Sequence, residues 1–216
     1  MKKAFWFSMI LGVLQAVAAI IAWQYMPELL PANWGVGGEV TRWTGRWILF
    51  LPAMITIGVT TLLYLVPKID PKGENIKRSG KGYPAVMIII ALLGVLIFVM
   101  TILAGLGREV SVHIIVPIFV GVLFIVLGNY LPQAKQNYSY GIRMPWTLAN
   151  EEVWTKTHRV GGIIFVIMGL LWIGSAFLPV PLNLIVPLAV LVIGMGYCVM
   201  YSYLTYKKVT TENEKL

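Results

Sequence analysis

The chain alternates between long apolar runs and short polar segments. Six uncharged runs of about 20 residues are bounded by charged residues, Gly or Pro, and about 20 apolar residues in a helix cross the hydrocarbon core of a bilayer. Residues 86–100, for example, are apolar on every side, whereas a barrel strand alternates apolar and polar positions. We therefore predict an all-α polytopic membrane protein with six transmembrane helices. The runs cover residues 4–25, 47–66, 84–106, 111–131, 160–178 and 182–204.

Composition supports the same class, since 58% of the 216 residues are hydrophobic and 12% are charged. Lys2 and Lys3 precede the first run, but the run is longer than the apolar core of a secretory signal, so we expect a retained membrane span. The few polar side chains inside the runs do not indicate a proton relay or a continuous polar path, and a lone Gln there is expected to bond a neighbouring helix. They are Gln15, Thr56, Thr60, Thr61, Thr101 and Ser175.

The distribution of Lys and Arg predicts the orientation in the membrane. With the N-terminus inside, 14 of the 17 Lys and Arg residues fall on the cytoplasmic side, and only Arg42, Arg46 and Arg108 fall outside. Cationic loops remain on the cytoplasmic side, so we predict that both termini are cytoplasmic. The net charge of +8 is then mainly a topology signal, and we expect no direct nucleic-acid partner.

The loops divide the chain into two predicted regions. The N-terminal two-span region, residues 1–83, has an extracellular loop at 26–45, with a Gly-rich turn, and a basic cytoplasmic loop at 67–82. We expect the basic loop to be a solvated connector that contacts anionic membrane lipids. The four-span region, residues 84–216, contains a long polar segment at 128–162, here named the signature loop.

Local sequence predicts a defined shape for the signature loop. Pro145 disfavours helix at Met144, which we expect to be extended. Thr147 or Asn150 then caps a helix that begins near Glu151 and continues into the fifth span. At helical spacing we expect one face to carry Glu151, Trp154, Thr155 and His158, and another to carry Glu152, Lys156 and Arg159 with an ion pair at four residues' separation.

Several functions are open for this cluster of charged and aromatic residues. Its Arg and Trp side chains can serve as ordinary anchors at the membrane interface, and they are also typical of a binding or signalling surface. A membrane-embedded enzyme could hold an anionic lipid or a peptide carboxylate with Arg143 beside Glu152 and His158. Passive export is a further alternative. With two His and one Cys and no ligand spacing, we expect no metal and no cofactor.

The signature loop resembles a known family. Its sequence, GNYLPQAKQNYSYGIRMPWTLANEEVWTKTHRVGG, is similar to the signature of the SdpI family, bacterial membrane immunity proteins named for protection against the sporulation-delaying-protein toxin. Residues 25–43, YMPELLPANWGVGGEVTRW, resemble the small membrane domain of unknown function that often precedes this signature. The chain departs from the family at Met144, where Thr is common, and at Asn33, where the upstream domain often has His.

The resemblance implies a multi-pass protein of the bacterial cell membrane that protects against a membrane-active peptide toxin and is not an enzyme. It also implies a signalling role, in which the toxin-occupied protein sequesters a cytoplasmic transcriptional autorepressor at the membrane. The expected partners are therefore membrane lipids, the peptide toxin and the autorepressor. The implied binding or signalling residues are Asn129, Tyr130, Asn137, Arg143, Pro145, Trp146, Thr147, Glu152, Trp154, His158 and Arg159.

Overall fold

The computed structural model describes residues 1–213, and its long helices follow the predicted spans. Within those residues six helices are long and apolar enough to cross a membrane, which confirms an all-α polytopic membrane protein. In chain order the elements are α1 (Lys2–Trp23), β1 (Leu29–Trp34), β2 (Val40–Gly45), a 3-10 turn (Arg46–Phe50), α2 (Leu51–Ile69), α3 (Gly73–Lys77), α4 (Gly82–Gly105), α5 (Val112–Tyr130), a second 3-10 turn (Leu131–Gln133), α6 (Pro145–Ala149), α7 (Glu151–Ser175) and α8 (Leu182–Asn213).

The long helices pack in two groups of three. In the first group, α1, α2 and α4 contact one another. In the second group, α7 packs against both α5 and α8, and the two groups join where α4 contacts α5. Helix α4 therefore packs with the helices of region 1–83 although its sequence falls in region 84–216. The division of the chain into those two regions stays a prediction, as does the cytoplasmic placement of the termini.

Helices α5 and α7 cross with their backbones in contact. A Cβ on Gly121 would lie 2.6 Å from the carbonyl oxygen of Gly169, and a Cβ on Gly128 would lie 2.6 Å from the carbonyl oxygen of Gly162. Small residues permit such close approach where lipid provides no hydrophobic force between helices. These two contacts, seven residues apart on each helix, fix the crossing. Gly196, in contrast, faces open space.

The polar side chains inside the first helix group bond one another across helices. The Gln15 side-chain amide on α1 donates to the Ala91 carbonyl of α4 at 3.5 Å, and the Thr56 hydroxyl of α2 donates to Gln15 at 3.3 Å. Ser8 donates to the Met87 carbonyl at 3.2 Å. The predicted bond from Gln15 to a neighbouring helix is confirmed, and these groups join three helices.

The predicted loop 26–45 forms an antiparallel hairpin of β1 and β2. Its register runs from Leu29 opposite Gly45 to Trp34 opposite Val40. The strands are connected through the expected Gly-rich turn, where Gly38 has φ +91°, a conformation that glycine adopts at little cost. The turn was predicted from the sequence, and the strands were not.

Candidate functional site

Capping interactions lie where the signature loop passes into α7. Met144 is extended, with φ −120° and ψ 157°, and its backbone N–H donates to the buried Thr147 hydroxyl at 2.8 Å. The Asn150 side chain accepts from the N–H groups of Glu152 and Val153 at 2.9 and 3.1 Å. The predicted extension before Pro145 and the predicted cap by Asn150 are both confirmed. Thr147 is used instead within the short helix α6.

The buried face of α7 differs from the predicted face. Val153, Trp154, Thr157 and His158 are buried, whereas Glu151 and Thr155 are exposed. The grouping of Glu151 and Thr155 with Trp154 and His158 was therefore wrong. The buried residues are spaced three or four positions apart and form the face of α7 that packs against the rest of the protein. Glu151 and Thr155 lie on the solvent-facing side of the helix. The predicted pair of Glu152 and Lys156 is present, at 2.7 Å.

Trp154 and His158 of α7 hold the earlier part of the signature loop, around Ala134 and Ile142, against the helix. The Trp154 indole N–H donates to the Ala134 carbonyl at 2.7 Å, and the two rings stack with centroids 4.0 Å apart. The His158 Nε2 atom accepts from the Ile142 N–H at 2.9 Å, and Nδ1 lies 2.8 Å from the Trp154 carbonyl. These partners require a neutral imidazole with its proton on Nδ1. His158 therefore fastens the loop to the helix through both ring nitrogens.

The approach of the loop to His158 depends on Gly141. Gly141 has φ +115°, and a Cβ there would lie 2.3 Å from the His158 Nε2 atom. Both the backbone conformation and the space exclude a larger residue. The hydrogen bond from Ile142 to His158 follows directly from this close approach.

Asn137 folds the middle of the signature loop around a buried amide. Its Oδ1 accepts from the N–H groups of Ser139 and Tyr140 at 2.9 and 2.6 Å. Its Nδ2 donates to the carbonyls of Lys135 and Tyr140 at 2.7 and 2.9 Å. All four hydrogen-bonding positions of the side chain are used, as a buried amide requires. Asn137 thus acts as a structural residue of the loop.

The connector between α2 and α4 packs against the signature loop, which corrects the expectation of a solvated connector. An Asp70 carboxylate oxygen accepts from the Tyr138 N–H at 3.0 Å and from the Ser139 hydroxyl at 2.5 Å. The Asn75 side chain donates to the Gln136 carbonyl at 2.7 Å. These contacts join residues more than 60 positions apart, so composition could not reveal them. Asp70 is nevertheless the only Asp in the chain, a signal that could have marked it.

The remaining predicted site residues lie at or near the surface. Trp146 is half-buried, donates to the Ser202 hydroxyl at 2.8 Å and meets the Tyr203 ring edge-on with centroids 5.4 Å apart. Arg143 is exposed and donates to the Tyr138 carbonyl. Tyr130 is half-buried, and the exposed members are Asn129, Arg143, Pro145, Glu152 and Arg159. Of the eleven predicted residues, four are thus buried, two are half-buried and five are exposed.

The three residues considered for catalysis do not form one site. Glu152 pairs with Lys156, His158 is buried against Ile142 and Trp154, and Arg143 bonds to Tyr138. Arg143 borders a cavity of about 440 Å³ beside the loop, but neither Glu152 nor His158 lines it. A general acid and base must reach the same substrate atoms, so this geometry removes the basis of the enzymatic alternative built on these three residues.

Comparisons with known proteins agree with these structural observations. Residues 133–202 match the SdpI/YfhL protein family, and residues 10–56 match a domain of unknown function, DUF1648. The chain is similar to the Immunity protein SdpI of Bacillus subtilis (strain 168), with 27% identity over 203 residues, which cover 93% of this chain and 95% of that protein. No solved structure matches the chain. The chain is thus a multi-pass protein of the bacterial cell membrane that is similar to the SdpI/YfhL family over residues 133–202.

Proposed function

We propose that the chain is a membrane immunity protein that protects a bacterium against a membrane-active peptide toxin. The observation that carries the proposal is similarity over 93% of the chain to a protein named an immunity protein. Because the similarity covers 93% of this chain and 95% of the relative, it extends over most of the membrane body. The three catalytic candidates lie apart, which does not favour an enzyme. The polar groups of α1, α2 and α4 are hydrogen-bonded to one another across the helices, which does not favour an exporter.

We also propose a signalling role for the exposed part of the signature loop. Arg143, Glu152 and Arg159 lie on a segment whose shape is held by buried Asn137 and His158. Charged side chains on such a preorganised segment can recognise a soluble partner with little loss of conformational entropy. The proposed partner is a cytoplasmic transcriptional autorepressor, which requires the predicted orientation with this loop inside the cell.

Survival of toxin-sensitive cells tests the immunity proposal. Cells that express the wild-type protein should survive the sporulation-delaying-protein toxin at a concentration that kills cells with an empty vector. Equal killing of the two strains, with the protein present in the membrane, would show that the immunity proposal is wrong for this toxin.

Membrane recruitment of the fluorescently tagged autorepressor tests the signalling proposal separately. We expect the triple variant Arg143→Ala, Glu152→Ala, Arg159→Ala to recruit at least tenfold less repressor, since it loses its charged contacts. A control variant, Lys207→Ala with Lys208→Ala, removes exposed charges from α8 and should recruit normally. Undiminished recruitment by the triple variant at normal membrane abundance would reject these residues as the docking site.

A further inference from the structure

The hairpin of β1 and β2 extends from the first helix group to the second. The Asn183 side-chain amide at the start of α8 donates to the Val36 carbonyl in the hairpin turn at 3.0 Å. A Cβ on Gly38 would lie 2.7 Å from the Nδ1 atom of His113 on α5. The turn thus contacts both α5 and α8, and the hairpin covers the junction of the two helix groups.

Two apolar cavities lie beneath the hairpin, and Trp34 lines both. One, of about 160 Å³, lies between the hairpin, α2 and α4. The other, of about 140 Å³, lies between α4 and α5. Leu93 and Ile97 of α4 also line both cavities, and Ile97 is 42% exposed. The accessible surface of Ile97 is therefore a place where a ligand can reach both cavities.

Two further cavities that Trp34 lines also carry polar side chains. One, of about 460 Å³, is lined by Glu39, Arg108, Glu109 and His113 among other residues. Another, of about 270 Å³, is lined by His113 and Asn183 among other residues. Asn183 is only 6% exposed, yet among residues 1–213 its Oδ1 atom has no hydrogen-bond partner. A buried amide oxygen without a partner is costly, so it marks a position where a ligand N–H or O–H would be stabilised.

We propose that the cavities around Trp34 bind an amphipathic helical peptide, which inserts one apolar side chain into each of the two apolar cavities. An apolar cavity of about 150 Å³ holds a group of the size of benzene, so each cavity fits a single aromatic or branched side chain. Two such pockets, which share Trp34, Leu93 and Ile97 in their lining, suit side chains spaced along a helix, whereas an unbranched acyl chain needs one continuous groove. The polar face of the peptide then meets Glu39, Arg108 and the free Asn183 oxygen.

This inference rests on the proposed immunity function and names its ligand site, since the peptide is the toxin. It also uses the predicted orientation, which places the hairpin on the outer side, where a secreted peptide arrives. Peptide bound here would contact both helix groups at their junction. The site is separate from the signature loop and contains none of its residues.

A matched pair of substitutions on α4 tests the site. Leu93→Trp adds bulk at a position that lines both apolar cavities, while Leu92→Trp adds the same bulk at a neighbouring position that is 42% exposed and lines neither cavity. Binding of fluorescently labelled sporulation-delaying-protein toxin is measured with the purified protein in phosphatidylcholine nanodiscs. We expect Leu93→Trp to weaken binding about tenfold for each side chain excluded, and Leu92→Trp to bind like the wild type. Ile97→Trp, at a half-exposed position, should reproduce the loss even if Leu93→Trp does not fold.

The outcomes separate this inference from the immunity proposal. Unchanged toxin binding by folded Leu93→Trp and Ile97→Trp proteins would overturn the site. Protection of cells by a wild-type protein that does not bind the toxin would overturn the site and leave the immunity function intact.

Discussion

The backbone N–H of Ile142 donates a hydrogen bond of 2.9 Å to the Nε2 atom of His158, so a loop residue is fastened to a buried imidazole sixteen positions later. Both residues are buried, and His158 has no exposed surface. The other ring nitrogen is bonded to the Trp154 carbonyl. His158 therefore contributes to the shape of the signature loop and has no free nitrogen for proton transfer.

Substitution His158→Ala should destabilise the protein. It leaves the buried Ile142 N–H without an acceptor and removes the ring stacked on Trp154. We expect a loss of about 2–4 kcal/mol, which lowers the Tm by about 5–10 °C in a chain of this size. Thermal unfolding in detergent measures it. Thr155→Ala, at an exposed position of the same helix, should change stability by less than about 0.5 kcal/mol. A Tm for His158→Ala equal to that of wild type would show that the hydrogen bond from Ile142 and the stacking on Trp154 contribute no stability.

The crossing of α5 and α7 predicts a large difference between two glycines of one helix. A Cβ at Gly169 would lie 2.5 Å from the Gly121 carbonyl oxygen, whereas at Gly174 no atom lies within 4 Å. Gly169→Ala should force the backbones apart and cost about 1–3 kcal/mol. Gly174→Ala should be neutral or stabilising, because Ala favours helix. Unfolding of both variants in mixed micelles gives the comparison, and equal stabilities would contradict the close crossing.

The features predicted correctly from the sequence depend on local chemistry. The long spans follow from uninterrupted apolar runs. The cap by Asn150 and the pair of Glu152 with Lys156 each join residues no more than four positions apart. Such interactions form within a single turn of helix and need no knowledge of the tertiary fold.

The features that were missed depend on contacts between distant residues. The bond between Asp70 and Ser139 spans 69 positions, and the bond between Asn183 and Val36 spans 147. The charged character of segment 67–82 suggested a solvated loop, although part of it is docked. The buried face of α7 was misassigned because both Glu151 and Trp154 fit a helical spacing, and only the packing against Ala134 and Ile142 decides between faces.

The hairpin illustrates a further limit of sequence analysis. Pro31 lies within β1, and proline usually argues against a strand because it cannot donate to the ladder. The irregular register on either side of Asn33 accommodates it. A two-stranded ribbon is marginal alone, and here it is anchored by Leu30, which is fully buried in a core cluster with Leu49 and Phe98, and by the hydrogen bond from Asn183 to Val36.

The buried hydroxyl of Tyr140 gives a prediction that depends on pH. Burial disfavours the phenolate and raises the pKa of Tyr140 to about 12 from its usual value near 10. A group with a raised folded-state pKa contributes its full stability below pH 10 and loses it as the pH rises towards 12. Its hydroxyl has no hydrogen-bond partner among the described residues. Tyr140→Phe should therefore be nearly neutral at pH 7.

Between pH 10 and 12 the two proteins should diverge. The wild type should lose about 1–2 kcal/mol more stability than Tyr140→Phe, because only the wild type has Tyr140 to ionise on unfolding. Unfolding curves at pH 7, 10, 11 and 12 measure the difference. Tyr138→Phe, at a position that is 46% exposed, provides the control and should follow the wild-type curve. If Tyr140→Phe also followed that curve throughout the alkaline range, Tyr140 would ionise as readily in the folded protein as in the unfolded chain.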